Sequence, residues 1–241
     1  MKLTLIKCIK WHYNIISEVS SMEPVVNHDG TTVKRRKGRI TAVIGSMFSG
    51  KSCKTIFLIH LLILFLLRST LIDYLEQHPQ ESVLAIKYAH DVRYSTDSIA
   101  THDKRFLKAV PCLTLMPLLK HYDMTKIRVV GIDEGQFFPD LIAFLLYVIG
   151  MGIDVMVAGL SGTYHRTPFP IIAALIPLAH CVMHKTAVCM NAQCSAEAPF
   201  TRRIAPESDK DQIGGADKYM AVCGDCYDLD VSLLISKITK E

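Results

Sequence analysis

The chain has 241 residues, half of them apolar, and a formal net charge of +4. That supports one sizeable core, or one domain with a small appendage. The charge is too slight for a nucleic-acid binder, which would carry a basic stripe with aromatics between. Met1 to Trp11 mixes lysines through its apolar residues and has no small-residue cleavage site. A reducing, cytoplasmic location is therefore expected, where paired cysteines bind metal more often than they form disulfides.

Residues 1–38 read as a poorly structured leader, within which Met22 offers an alternative start. The basic run Lys34-Arg35-Arg36-Lys37 reads as a solvated lead-in to the first strand. From Arg39 short apolar runs recur: Ile40–Ile44, Val83–Ile86, Val129–Ile132 and Val155–Ala158. Longer stretches compatible with helices, such as Asp140–Ile149, lie between them. Nearly continuous apolar strands alternating with helices predict an α/β fold, a parallel sheet covered on both faces with right-handed crossovers.

Gly45-Ser46-Met47-Phe48-Ser49-Gly50-Lys51-Ser52 fits G-x-x-x-x-G-K-[ST] between a strand and a helical stretch. Glycines let backbone N–H groups converge on phosphate oxygens, and the helix N-terminus adds positive potential. Lys51 would neutralise β/γ charge and Ser52 would hold Mg²⁺. The motif specifies a nucleoside triphosphate and leaves the acceptor open. Cys53, in the same first turn, reads as a packed thiol.

Ile56 to Leu67 is apolar except for His60. It is shorter than the roughly 20 residues that a membrane-spanning helix needs. It also has no polar face, as a surface helix would. A segment of about residues 55–70 is accordingly set apart as an insertion. It is read as a subunit-interface element, a membrane-contacting helix or translated intron, with the last preferred.

Val129–Ile132 ends in Asp133-Glu134. An acidic residue at the end of a parallel strand sits beside the phosphates, where it can bind Mg²⁺ or its waters. Two carboxylates permit a division of labour, Asp133 for the metal and Glu134 as acceptor of a hydroxyl proton. Taken alone, such a pair reads as ordinary loop polarity.

Residues 187–228 are rich in Cys, Gly and charge. Of eight cysteines, Cys8, Cys53, Cys112 and Cys181 are scattered, while Cys189/Cys194 and Cys223/Cys226 are paired. Four thiolates at these spacings predict a structural zinc, closed to chemistry because all four positions are protein ligands. A redox-active Cys-x-x-Cys would lack a thioredoxin-like context. Residues 229–241 form a tail with one short helix expected.

Strings in one order now carry a resemblance: Gly45–Ser52, Ile86–Ser95 (IKYAHDVRYS), Thr101-His102-Asp103, Ile132–Asp140 (IDEGQFFPD), Thr186–Met190 (TAVCM) and Ile213–Tyr219 (IGGADKY). From about Arg39 to Tyr227, the apolar segment aside, the sequence resembles the type II, cytosolic and zinc-containing, thymidine kinases. The resemblance implies a P-loop domain over residues 39–186 and a zinc-organised lid over 187–228. It implies Glu134 as catalytic base, with Asp91 and Arg93 on the phosphate and 5′-hydroxyl. ATP and Mg²⁺ contacts would come from Gly45–Ser52, Asp91, Val92, Arg93, Asp133, Glu134, Gly135 and Gln136. The nucleoside pocket would comprise Met47, Phe137, Leu160, Tyr164, Phe169, Thr201 and Tyr219, under a closing loop of Lys210, Asp211, Gln212, Ile213 and Gly214.

The implied reaction transfers the γ-phosphoryl group of ATP to thymidine, deoxyuridine being secondary, in a homotetramer with no nucleic-acid or membrane partner. Besides the apolar segment, three departures stand out. The first cysteine pair has two more residues between its members than the family's usual pair, Ser161 replaces an aspartate, and Tyr164 replaces a phenylalanine. A nucleoside kinase of changed acceptor choice, an inactive nucleotide-binding subunit with a zinc lid, and a protein anchored through Ile56–Leu67 stay open as alternatives. Intact Lys51, Ser52, Asp133 and Glu134 speak against the inactive subunit.

Overall fold

The computed structural model describes residues 25–26, 32–33, 36–47, 67–92, 95–100, 106–191, 194–205 and 217–228. Two two-residue strands, β1 (Val25–Val26) and β2 (Thr32–Val33), pair antiparallel ahead of the main body. The body is a six-stranded, wholly parallel sheet of β3 (Ile40–Gly45), β4 (Val83–Tyr88), β7 (Val110–Cys112), β8 (Val129–Ile132), β9 (Asp154–Leu160) and β10 (Cys181–Lys185). Its spatial order is β10-β3-β9-β8-β4-β7. A small antiparallel pair, β5 (Ser98–Ala100) and β6 (Phe106–Lys108), lies between β4 and β7 in sequence.

The four predicted strands are the four central ones because both of their faces are covered. Successive side chains of a strand point to opposite faces, and the core divides accordingly. Ile40, Ala42, Ile44, Leu84, Ile86, Val130, Ile132, Val155 and Val157 join one cluster. Val43, Ala85, Val129, Met156 and Ala158, one residue out of step, join the other. The first face packs α3 (Leu141–Gly150), through Leu141, Phe144, Leu145 and Val148, and α4 (Pro170–Leu175), through Ile172 and Leu175. The second packs α1 (Leu67–Glu76) through Leu71, Ile72 and Leu75. Near the outer edge, α2 (Leu118–His121) is a single turn. Both outer strands escaped the sequence reading. In β7 only the middle residue, Pro111, is exposed, and an edge strand tolerates a proline because no ladder N–H is lost from its outer side.

Helix α1 lies close against the sheet because β8 carries no side chain at Gly131. A Cβ there would fall 2.4 Å from Leu75 Cδ1. The last four residues of the apolar segment set apart as 55–70 are the first turn of this helix, and Ser69 is fully buried. Those four residues therefore belong to the fold, while 55–66 lie outside the described residues. No helix among the described residues is long and apolar enough to cross a membrane.

Beyond the sheet, β11 (Ala187–Val188) pairs with β12 (Glu197–Ala198), and β13 (Phe200–Arg203) with β14 (Tyr219–Val222), all antiparallel. Their small core is Ala187, Ala198, Ala221 and Val222 around Cys189, Cys223 and Cys226. Phe200, Met220 and Tyr227 pack against it, partly buried.

Candidate active site

The six strands of the main sheet run in one direction, so their carboxyl ends lie along one edge of it, the usual ligand-binding edge of open α/β folds. Asp91 lies just past β4, and Asp133 and Glu134 directly follow β8. Their oxygens converge within 4.8 Å of one another, close enough to share a cation. Glu134 has φ 56° and ψ 43°, in the left-handed region, and heads a 3₁₀ turn over Gly135–Phe137. For a residue with a Cβ this costs on the order of 1–3 kcal/mol and is tolerated where surrounding contacts fix it. Two contacts do so here. Gln136 Nε2 donates to Glu134 Oε2 at 2.6 Å, while Gln136 Oε1 accepts from Leu160 N at 3.1 Å. Gln136 thus ties the turn to the end of β9.

The third element at this edge is Arg68 of α1. Its Nε pairs with Asp133 Oδ2 at 2.8 Å and its Nη2 with Glu134 Oε1 at 2.8 Å. The same Nη2 pairs with Asp91, and Nη1 donates to Ala100 O at 3.4 Å. Burial pushes the Asp133 carboxyl up to about 6, Glu134 and Asp91 push the same way, and Arg68 opposes them. Burial works against the Arg68 cation, yet Asp133, Glu134 and Asp91 outweigh it and raise its pKa. Lys87 is also buried, its Nζ donating to the carbonyls of Ser95 and Ser98, and burial lowers its pKa. The sequence assigned no role to Arg68 or Lys87, although Lys87 lies within the family-like string Ile86–Ser95. The only signal for Arg68 was a single charge closing a long apolar run.

The described part of the phosphate-loop motif is Gly45–Met47. Gly45 ends β3 within the sheet, while Ser46 and Met47 are held by the small antiparallel strands. Ser46 Oγ donates to Ala198 O at 2.8 Å, and Met47 N donates to Thr201 Oγ1 at 2.9 Å. Met47 and Thr201, predicted as pocket partners, are in direct contact. Other predicted pocket residues meet one another in two further groups. Phe137 stacks on Tyr88 at 5.0 Å and meets Phe169 edge-on at 6.3 Å. Tyr164 and Tyr219 lie 6.1 Å apart with the Arg203 guanidinium over both rings. Beside them is a cavity of about 250 Å³ lined in part by Ser161, Thr163, His184, Phe200 and Thr201.

The loop after β9 is locked to the cysteine-bearing segment. Arg166, with φ 59°, wedges its guanidinium 4.2 Å from the Phe200 ring centroid and 3.8 Å from that of Tyr227. It also pairs with Asp228 at 3.4 Å. Tyr227 Oη donates to Tyr164 O at 2.6 Å.

Cys189, Cys194, Cys223 and Cys226 bring their four sulfurs within 4.8 Å of one another. Tetrahedral thiolates at about 2.3 Å from zinc would lie about 3.8 Å apart. Cys194 and Cys223 have their sulfurs 3.8 Å apart. Asn191 Nδ2 donates to Cys226 Sγ at 3.2 Å and Cys226 N to Cys223 Sγ at 3.4 Å. Such N–H···S bonds stabilise thiolates from outside the ligand shell. The cluster fits a metal ion such as zinc. Cys112 stands apart at the end of β7, its thiol pushed up to about 11 by burial and by Asp140, and is chemically quiet.

The structure thus brings together Asp91, Asp133, Glu134 and Gln136, and separately Met47 with Thr201, Phe137 with Phe169, and Tyr164 with Tyr219. Val92 is exposed, and Gly135 is packed against Val157. Phe48 to Ser52, Arg93 and Lys210 to Gly214 lie outside the described residues.

Comparison with known proteins agrees with this arrangement. The thymidine kinase family model matches residues 38–227. The chain is 40% identical over 193 residues to the cytosolic thymidine kinase of Homo sapiens, covering 80% of this chain and 74% of that one. It is 39% identical to the cytosolic thymidine kinase of Gallus gallus, covering 80% and 78%. It is 40% identical over 190 residues to the thymidine kinase of Raccoon poxvirus, covering 79% and 97%. A family match from the lead-in of β3 to the residue after Cys226 takes in both the carboxylate triad and the four cysteines, and the chain belongs to the thymidine kinase family.

Proposed function

We propose that this protein is an ATP-dependent thymidine kinase that supplies thymidine monophosphate for DNA synthesis from salvaged nucleoside. The observation that carries the reading is the family match over 38–227 together with the carboxylates gathered where that match spans the strand ends. The 5′-oxygen of thymidine bonds to the γ-phosphorus, the bond from that phosphorus to the bridging oxygen breaks, and ADP departs. Glu134 takes the hydroxyl proton. Lys51, Ser52 and Arg93 complete the phosphate contacts, the rigid donor fork of Arg93 suiting a transferring phosphoryl group. Asp133, Ser52 and Asp91 would hold Mg²⁺, which when bound neutralises phosphate charge. Cys189, Cys194, Cys223 and Cys226 would hold a structural zinc.

The domain plan is a P-loop domain over 39–186 and a zinc lid over 187–228, with Lys210–Gly214 closing on the nucleoside. The assembly is a cytoplasmic homotetramer. Met47 and Thr201, whose backbone N and hydroxyl meet, would flank the 5-methyl group. A single methyl is worth only about 1–3 kcal/mol of discrimination. Thymidine should therefore be the best acceptor in a nucleoside panel with labelled ATP, deoxyuridine should follow within roughly 10–200-fold, and ribonucleosides and purines should trail. A preference for guanosine or adenosine would overturn the pocket assignment.

The working enzyme lacks the apolar insertion, but that insertion ends before α1. A chain joining Lys54 to about Leu71 would delete Arg68 and the buried Ser69. Peptide mass spectrometry of the native, active protein should find Leu67–Thr70 present and residues 55–66 missing. Active protein carrying residues 55–66 would contradict this.

A further inference from the structure

We propose that Arg68 is the resident counter-cation of the carboxylate triad, positioning Asp133 and Glu134 while no divalent ion is bound and surrendering Asp133 when one enters. The inference rests on the reading of Asp133 as the metal-facing carboxylate.

One guanidinium meets all three acids, through Nε on Asp133 and Nη2 on both Glu134 and Asp91. The acid side chains are 4%, 5% and 13% exposed and the Arg68 side chain 15%, so water screens the cluster poorly. Buried carboxylates this close repel one another and persist as a group only with a cation among them. A divalent ion would use the same oxygens at about 2.0–2.6 Å, inside the volume the guanidinium fills. The two cations compete for one place, and in a poorly screened site their mutual repulsion is strong.

The fold lets the side chain yield while the helix stays. Leu71, Ile72 and Leu75 anchor α1 and are fully buried. The acids, by contrast, stand at strand ends on a different element. The exchange also bears on Glu134. Its Oε1 accepts from Arg68 and its Oε2 from Gln136. Departure of Arg68 would remove one of these two donors from the carboxylate.

The test is Mn²⁺ binding to the zinc-loaded, full-length protein without nucleotide or nucleoside, followed by electron paramagnetic resonance. Arg68→Gln and Arg68→Met should bind Mn²⁺ roughly tenfold or more tightly than wild type, because the competing charge is gone. Adding Asp133→Asn to either variant should abolish the gain. Affinity within twofold of wild type in folded neutral variants, or a gain that survives Asp133→Asn, overturns the proposal. If neither neutral variant folds, Arg68→Lys decides, since one ammonium cannot meet three carboxylates as the planar fork does. A gain of a few-fold supports the proposal there, and unchanged affinity overturns it. None of these readings depends on which nucleoside is phosphorylated. An inactive enzyme with the expected Mn²⁺ pattern would count against the proposed function and leave Arg68's role standing.

Discussion

Replacing Glu134 with glutamine is expected to lower kcat by roughly 10²–10⁴-fold while ATP binding persists. The amide keeps the shape of the carboxylate and its place at the head of the 3₁₀ turn but cannot take a proton. Its oxygen can still accept from Arg68, as Glu134 Oε1 does at 2.8 Å. Its nitrogen would then face Gln136 Nε2, which now donates to Glu134 Oε2 at 2.6 Å, and two donors would oppose each other. Gln136 cannot relieve this by turning over without breaking its bond from Leu160 N. Part of the loss would therefore come from a disturbed turn. Gln136→Ala separates the two effects, since it removes the opposing donor and leaves the base. Single-turnover rates with saturating ATP and thymidine give the measurement. Near-normal kcat in Glu134→Gln would mean that another group, or water, accepts the proton.

The second large effect is expected from Cys226→Ser. Metal analysis should find one zinc per chain in the wild type and almost none in the variant, because four thiolates and their N–H donors act as a unit. Structural zinc contributes about 10–16 kcal/mol in small metal-folded peptides, far more than the apolar core around these cysteines can replace. The damage should travel. Tyr227, next in the chain, holds the loop after β9 through Tyr164 O and the Arg166 stack. The strands over the cysteines also hold the start of the phosphate loop through Ala198 O and Thr201 Oγ1. The KM for thymidine should rise by about tenfold or more, since Tyr164 and Thr201, proposed to contact the nucleoside, lose their frame. Zinc retained at one per chain, or an unchanged KM, would contradict the account.

The central strands and the helix over Leu141–Gly150 were legible because both faces of a parallel sheet are buried, which leaves unbroken apolar runs in the sequence. The outer strands β7 and β10 have no such run, and only their pairing partners make them strands. The cysteine cluster was legible from spacing alone. Asp133 and Glu134 could be placed at a strand end, and their convergence with Asp91 follows from the parallel order of β4 and β8. Arg68 was not legible. It sits at the end of a run whose uniform hydrophobicity hid the helix beginning there, and its partners lie 23 to 66 residues away in sequence. Arg166 was hidden for a similar reason, because its two aromatic partners and Asp228 come from distant parts of the chain.

The most direct test is transfer of the γ-phosphoryl label of ATP to thymidine by the zinc-loaded protein, with the product identified by mass. Labelled thymidine 5′-monophosphate is expected, at a rate that falls at least about a hundredfold in Glu134→Gln. Zinc-replete, folded protein that binds ATP and leaves thymidine unlabelled would contradict it.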